Sequence, residues 1–228
     1  MKSVVSTLTR RLRRLAALTS MPVYCRLYGL QRIGPSYFVR TTINDKSIVL
    51  DCGLGYDADF SAAIITRYGA QCHGVDPTRK HQAVLATVAG RHGDRLRLYP
   101  VAVAGTTGFM TFYEPIDQVS GSVFNGHVNA SRAISYAVPS MTLKDLAAHI
   151  GVSRIDVLKL DVEGAEYDIL EQQDDEWVKT ISQIIVEFHH HCVKAFTLDD
   201  TKRAVAKLRS MGYRSYSTDG INYLFFRK

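Results

Sequence analysis

The chain's 228 residues, 46% of them hydrophobic, suffice for one substantial core and fall short of two ordinary domains with linkers. Its net charge of +6 sits at the start, since residues 1–40 hold eight Lys or Arg and no acidic residue, while residues 41–228 balance at −2. No apolar run reaches the ~20 residues that cross a bilayer, no hydrophobic block with a cleavage site opens the sequence, and Cys25, Cys52, Cys72 and Cys192 form no C-x-x-C pair. These absences argue against a transmembrane anchor, a secretory leader, a disulfide framework and a cysteine zinc site. They leave the expectation of a cytoplasmic protein with reduced, mostly buried thiols.

In chain order, "TRRLRRLAALTSM" (residues 9–21) comes first. It alternates arginine pairs with leucines near helical spacing, which offers a basic face to an anionic surface, a nucleic acid or an anionic substrate. The plainer reading is a solvated helix held to the domain by Leu12, Leu15 and Leu18. Residues 1–40 are taken as a basic N-terminal extension and 41–228 as the domain proper.

From Ser47 onward β-branched runs alternate with amphipathic stretches, the pattern of a parallel sheet with crossover helices. "SIVLDCG" reads as the first strand. "DADFSAAIITRYG" follows as a helix capped by Asp57 or Asp59 and stopped by Gly69, and "CHGVD" is the second strand. Pro77 suits the first turn of a helix running to about Gly90, and "LRLYPVAVAG" gives the third strand. "TGFMTFYEP" is a short extra strand. The polar stretch 116–140 then shows few periodic signals and reads as a functional loop. "MTLKDLAAHIG" is a helix with Thr142 as cap and Gly151 as stop. After it come "IDVLKLDVEG" as the fourth strand, a helix from about Ala165, "SQIIVEFHH" as the fifth strand, and a helix from about Leu198 to Met211. "GYRSYSTDGINYLFFRK" closes the chain as two alternating runs around Asp219-Gly220, a hairpin signal.

A purely parallel dinucleotide-binding sheet does not finish with a hairpin. A seven-stranded Rossmann-like α/β sheet with an antiparallel C-terminal strand and helices on both faces does, and that ending is similar to S-adenosylmethionine-dependent methyltransferases.

The first strand ends in Asp51-Cys-Gly53-Leu-Gly55, a turn that brings backbone N–H groups and a bare backbone up to a ligand. Gly53-Leu-Gly55-Tyr-Asp-Ala58 also fits G-x-G-x-x-A, and Asp76 lies about twenty residues on, where an acidic residue meets ribose hydroxyls. By this pattern NAD and S-adenosylmethionine are both open. Charge separates them: Asp51, Asp57 and Asp59 would repel a pyrophosphate and attract a sulfonium and an ammonium. Asp51 is expected to face the methionine portion of S-adenosylmethionine and Asp76 its ribose, unless Asp76 merely caps the helix ahead of Pro77. Pro77, Val101 and Ala102 complete the expected cofactor-binding set with Gly53, Gly55 and Asp161.

Residues 155–170, "IDVLKLDVEGAEYDIL", couple an apolar strand to Asp161-Val-Glu163-Gly164-Ala-Glu166 at its C-terminal end, where ligands bind in open α/β sheets. Together with "IIVEFHH" around Glu187, this resembles the FkbM family of S-adenosylmethionine-dependent methyltransferases, whose members carry D-x-E-G-x-E after the fourth strand and an apolar strand ending in E-F-H. The resemblance covers roughly Ser47 to His191. The family's first loop most often reads D-x-G-A-N-x-G. Here it is closer to a branch with G-x-G-x-D and an aspartate-proline-threonine after the second strand, matched by Asp76-Pro77-Thr78.

Methyl transfer to a hydroxyl needs an oriented nucleophile, a base and a site that excludes water. Asp161, Glu163, Glu187 and His189 come from neighbouring strand ends and supply candidates. His189, with an ordinary pKa of about 6.5, is the expected base. Asp161 is expected beside the sulfonium, with Glu163 or Glu187 positioning the acceptor. Carboxylate and imidazole donors also suit Mg²⁺ or Mn²⁺. However, His189-His190-His191-Cys192 alternate faces along a strand and cannot all ligate one ion unless the strand ends there, and no metal is assigned. The acceptor is expected to be a small molecule or glycan, with Tyr113, Ser122, Asn125 and Tyr136 as candidate pocket residues. Two alternatives stand beside this reading. One is an NAD(P)-dependent oxidoreductase, for which no catalytic Tyr-Lys or His-Asp arrangement is found; the other is a non-catalytic module that binds nucleic acid through the basic N-terminus.

Overall fold

The computed structural model describes residues 23–125 and 132–227; the arginine-leucine stretch 9–21, with its expected basic face, lies outside them. In chain order the strands are β1 (Leu30–Ile33), β2 (Ser36–Val39), β3 (Ile48–Cys52), β4 (Gln71–Val75), β5 (Leu96–Tyr99), β6 (Ala102–Val103), β7 (Gly108–Pro115), β8 (Ala133–Met141), β9 (Val157–Leu160), β10 (Gln183–Glu187), β11 (Arg214–Tyr216) and β12 (Asn222–Phe226). Helices Asp59–Tyr68, Gln82–His92, Leu143–Ile150, Ala165–Gln172, Asp175–Val178 and Leu198–Ser210 connect them.

Seven strands form the main sheet in the order β11-β12-β10-β9-β3-β4-β5. β5, β4, β3, β9 and β10 run parallel, and β12 is antiparallel between β10 and β11. From β3 the chain winds outward to β4 and β5, then returns to place β9 on the other side of β3. That reversal makes the β3/β9 boundary the switch point, where a crevice opens beyond the strand ends.

The central strands are apolar on both faces because helices cover both. Val49, Val157 and Ile185 point into a core shared with Phe60 and Ile64 of the first helix. Leu50, Leu158, Ile184 and Val186 point into the opposite core with Leu143, Ile169 and Leu208. Burying each such side chain contributes roughly 1.5–3 kcal/mol. The described part of the N-terminal segment joins this packing. Phe38 is fully buried, Tyr24 stacks on Tyr216 at 5.1 Å between ring centroids, and Gln183 accepts from the Val39 N–H at 2.8 Å. Cys52, Cys72 and Cys192 are buried free thiols.

Three local expectations change. Neither Asp57 nor Asp59 caps the first helix: Ala58, which has no side-chain acceptor, stands at its N-cap with φ 47°, and both aspartates line the crevice. The third strand divides at Pro100, which has no N–H to continue a ladder, so β5 joins the main sheet while β6 pairs with β8. The stretch read as an irregular loop is partly strand, since β8 pairs antiparallel with β7 from Gly108↔Ser140 to Pro115↔Ala133. β8 buries only Val138 and Ser140 along its length, so it carries little hydrophobic alternation of its own. The helix at Leu143–Ile150 has the expected ends: Thr142 Oγ1 accepts from Asp145 N at 3.1 Å, and Gly151 closes it at φ 82°.

Candidate active site

The crevice is built from three strand ends drawn together by backbone. Gly53 N donates to Val75 O at 2.9 Å, and Asp161 N donates to Cys52 O at 2.9 Å, tying the ends of β3, β4 and β9. Gly53 adopts φ 87°, and a Cβ there would stand 1.7 Å from the Asp161 carbonyl oxygen, so only glycine fits. Beyond this turn lies a cavity of about 350 Å³. Asp51, Gly53, Gly55, Asp76, Pro77, Val101, Ala102 and Asp161 all line it, as do Asp57, Asp59 and Glu163.

Asp51 is buried at 1% exposure. Ser61 Oγ donates to its Oδ2 at 2.7 Å, while Oδ1 is buried without a hydrogen bond and faces Lys159 Nζ at 3.5 Å. Burial pushes the Asp51 carboxyl up, against the pull of Lys159 and Ser61. Lys159 is the residue that sequence reading missed. Its ammonium donates to Asp161 Oδ2 and to Gly53 O, both at 3.1 Å. Burial alone would depress it, but Asp161 and Asp51 outweigh that and hold it well above the ordinary lysine value. The signal was present: a lysine inside an apolar strand must find buried partners, and Asp161 lies two residues on, on the same face. The acidic turn is thus partly neutralised from within, with Asp57 and Asp59 adding charge at the cavity wall.

Asp76 follows β4 and is 6% exposed. Its Oδ2 accepts from Leu54 N at 3.1 Å and its Oδ1 from Thr78 N at 2.8 Å. Those bonds fix the carboxylate at the cavity; with His81 Nδ1 also facing Oδ2 at 3.5 Å, it is Oδ1 that keeps a lone pair for a ligand.

At the neighbouring strand ends Asp161 and Glu163 line the cavity, whereas Glu187 and His189 stand behind them. His189 is 3% exposed and ringed by carboxylates. Its Nδ1 lies 3.1 Å from Glu166 Oε1, and its Nε2 lies 3.4 Å from Glu163 Oε2 and 3.6 Å from Asp161 Oδ1. Glu166, fully buried, also accepts from the backbone N–H groups of His189 and Gly164, each at 2.9 Å. Burial pulls the imidazole down, but the Glu166 hydrogen bond and the charges of Glu166, Glu163 and Asp161 outweigh it and hold the pKa up at about 10. An imidazole protonated across neutral pH accepts no proton, which changes the role expected of His189. Glu187 moves the opposite way to an ordinary carboxylate: burial first, then the Asp161 charge, push it up to about 7. That value suits a general base at neutral pH. The ligand atoms of Asp161, Glu163 and His189 lie within 4.8 Å of one another, a donor set of the kind that holds divalent cations.

The β7–β8 ribbon and the segment after β7 form the remaining wall through Phe112, Gly121 and Val123. Ser122 is buried there; its Oγ donates to Glu163 O at 2.6 Å and supports the turn in which Glu163 adopts φ 52°. Tyr136 bonds Glu114 through its hydroxyl and lies 3.9 Å beneath the Arg79 guanidinium. Lys80 Nζ donates to Pro115 O at 2.5 Å. Ser122 and Tyr136 thus brace the wall, while Tyr113 pairs with Ser122 and Asn125 is exposed.

The sequence model of the methyltransferase FkbM domain matches residues 51–215. No curated protein matches the chain. Among solved structures it is similar to the Methanococcus jannaschii fibrillarin pre-rRNA processing protein, with 11% identity and a TM-score of 0.46 over 89% of this chain and 72% of that one. It is also similar to precorrin-6y C5,15-methyltransferase from Geobacter metallireducens, with 10% identity and a TM-score of 0.45 over 82% of each chain. A third is Aeropyrum pernix fibrillarin with bound S-adenosyl-L-methionine, with 11% identity and a TM-score of 0.45 over 90% of this chain and 73% of that one.

Proposed function

The chain belongs to the FkbM family of methyltransferases, with S-adenosylmethionine as methyl donor, and from that premise we propose that it methylates a hydroxyl oxygen of a small-molecule or sugar-like acceptor. The observation that carries this reading is the junction of two environments at one switch point: a cavity lined by Asp51, Asp76 and Asp161, and, behind Asp161 and Glu163, the half-buried Glu187 with its pKa pushed up to about 7.

The residues present fit the donor. Gly53 leaves no room for a side chain, so a ligand meets bare backbone, and Asp51 Oδ1 is a buried acceptor without a hydrogen bond among the described residues. When bound, the donor supplies an electrophilic methyl on a sulfonium. Asp51 would hold its methionine portion, Asp76 its ribose and Asp161 its positive sulfur, within walls shaped by Gly53, Gly55, Pro77, Val101 and Ala102. Glu187, behind Asp161 and Glu163, would take up the hydroxyl proton as the methyl leaves sulfur for the acceptor oxygen and S-adenosylhomocysteine is released, and Glu163 would orient that hydroxyl. His189, as an imidazolium, holds Asp161 and Glu163 in place. The basic residues of the 1–40 segment meet an anionic acceptor or surface. No helix of the described residues is long and apolar enough to cross a membrane, and we place the work in the cytoplasm.

The test is to supply the purified protein with methyl-labelled S-adenosylmethionine and a metabolite extract, and to search by mass spectrometry for a product heavier by one labelled CH₂. Carbon-13 NMR of the transferred methyl is expected to show attachment to oxygen. Attachment to nitrogen or carbon would overturn the hydroxyl reading.

A further inference from the structure

His81 carries a feature that the donor-binding residues named above do not explain. It is 1% exposed, lines the cavity and has a buried Nε2 with no hydrogen-bond partner among the described residues. Its other ring nitrogen, Nδ1, faces Asp76 Oδ2 at 3.5 Å. Tyr56 covers the ring, with centroids 4.2 Å apart and planes tilted by 57°. A carboxylate accepts and never donates, so Asp76 draws the imidazole proton to Nδ1 and leaves a lone pair on Nε2. An enclosed lone pair requires a donor, and among the described residues none provides one.

We propose that His81 is a second anchor for the donor's ribose: its Nε2 accepts a hydrogen bond from one of the two ribose hydroxyls, alongside Asp76, so that this chain selects a ribonucleoside over a deoxyribonucleoside. This rests on the S-adenosylmethionine reading of the cavity. A hydroxyl is the fitting donor because the ring belongs to the same cluster as Asp76. The second hydroxyl remains for the carboxylate, whose Oδ1 keeps a free lone pair after accepting from Thr78 N, while Oδ2 is taken by Leu54 N and His81. Thr78 and Arg79 lead straight into the short turn Arg79–His81, which delivers the imidazole back under the carboxylate.

The experiment measures dissociation constants of S-adenosylhomocysteine and of its 2′-deoxy and 3′-deoxy analogues for the wild type and for His81→Phe, which keeps the ring's bulk without its nitrogen. In the wild type one deoxy analogue is expected to bind about five- to a hundredfold more weakly, since a buried acceptor is left unpaired. In His81→Phe that penalty should shrink to about twofold or less, while S-adenosylhomocysteine itself weakens. Equal penalties in the two proteins would overturn the inference alone. Failure of the wild type to bind S-adenosylhomocysteine would overturn the cofactor reading with it. Should His81→Phe not fold, nitrogen NMR of the wild type decides: the Nε2 resonance should move with S-adenosylhomocysteine and stay put with the deoxy analogue that binds weakly. Identical shifts with all three ligands would contradict the proposal.

Discussion

Glu187 and His189 stand two residues apart among carboxylates, and both pKa values rise, Glu187 chiefly through burial and His189 through its carboxylate partners, with opposite chemical results. For Glu187 the rise, to about 7, turns a spectator anion into a group able to take a proton at working pH. The turnover rate should therefore climb as pH passes through about 7 and Glu187 ionises. Glu187→Gln should lower turnover by ~10²–10⁴-fold and remove that climb. An unchanged profile in the variant would assign the base elsewhere. For His189 the consequence is stability. Its pKa is about 6.5 in an unfolded chain and about 10 in the fold, so the folded state holds the proton more tightly. The stabilisation is complete below about pH 6.5 and drains away as pH rises through about 10. The melting temperature of the wild type should fall across that window more steeply than that of His189→Gln, and parallel curves would contradict the ion-pair cage.

The elements were legible to different degrees, for physical reasons. Strands β3, β9 and β10 announce themselves because burial on both faces demands continuous apolar runs. The hairpin of β11 and β12 was marked by Asp219-Gly220, where the Asp219 carboxylate accepts from the N–H groups of Ile221 and Asn222. β8 was not legible, since a ribbon on the surface needs little hydrophobic alternation. Lys159 went unassigned because the apolar run around it was read only as a strand, although a buried ammonium there needs carboxylate partners. The turn after β3 is where sequence and geometry agree most tightly, and it yields a graded test. Gly53→Ala places a methyl against the Asp161 backbone in a left-handed conformation, whereas Gly55→Ala, at φ 61°, meets nothing within 4 Å. Gly55→Ala should cost about 1–2 kcal/mol of unfolding free energy from backbone conformation alone. Gly53→Ala should cost substantially more and abolish donor binding. Similar losses in denaturant titrations of the two variants would show that the close approach of β3 and β9 does not govern the turn.

Across the whole molecule, the winding order gathers the ends of β3, β4 and β9 at the switch point with β10 alongside, which is why residues distant in sequence converge on one cavity. Asp51, Asp76 and Asp161 could be assigned to one site from sequence because strand ends in this sheet must meet there. Their internal partners Ser61 and His81 could not, because those pairings depend on how a helix and a turn pack. The division expected at residue 40 also looks different in three dimensions, since Tyr37, Phe38 and Val39 are buried with Tyr216 and Phe226 in one core. The central claim is that the cavity at the ends of β3, β4 and β9 holds S-adenosylmethionine through Asp51 and Asp76. Calorimetric titration of S-adenosylmethionine into the wild type, Asp51→Asn and Asp76→Ala tests it most directly. One site per chain is expected in the wild type, with affinity reduced at least about tenfold in each variant, the equivalent of ~1.4 kcal/mol. No binding to the wild type, or equal affinity in all three proteins, would contradict it.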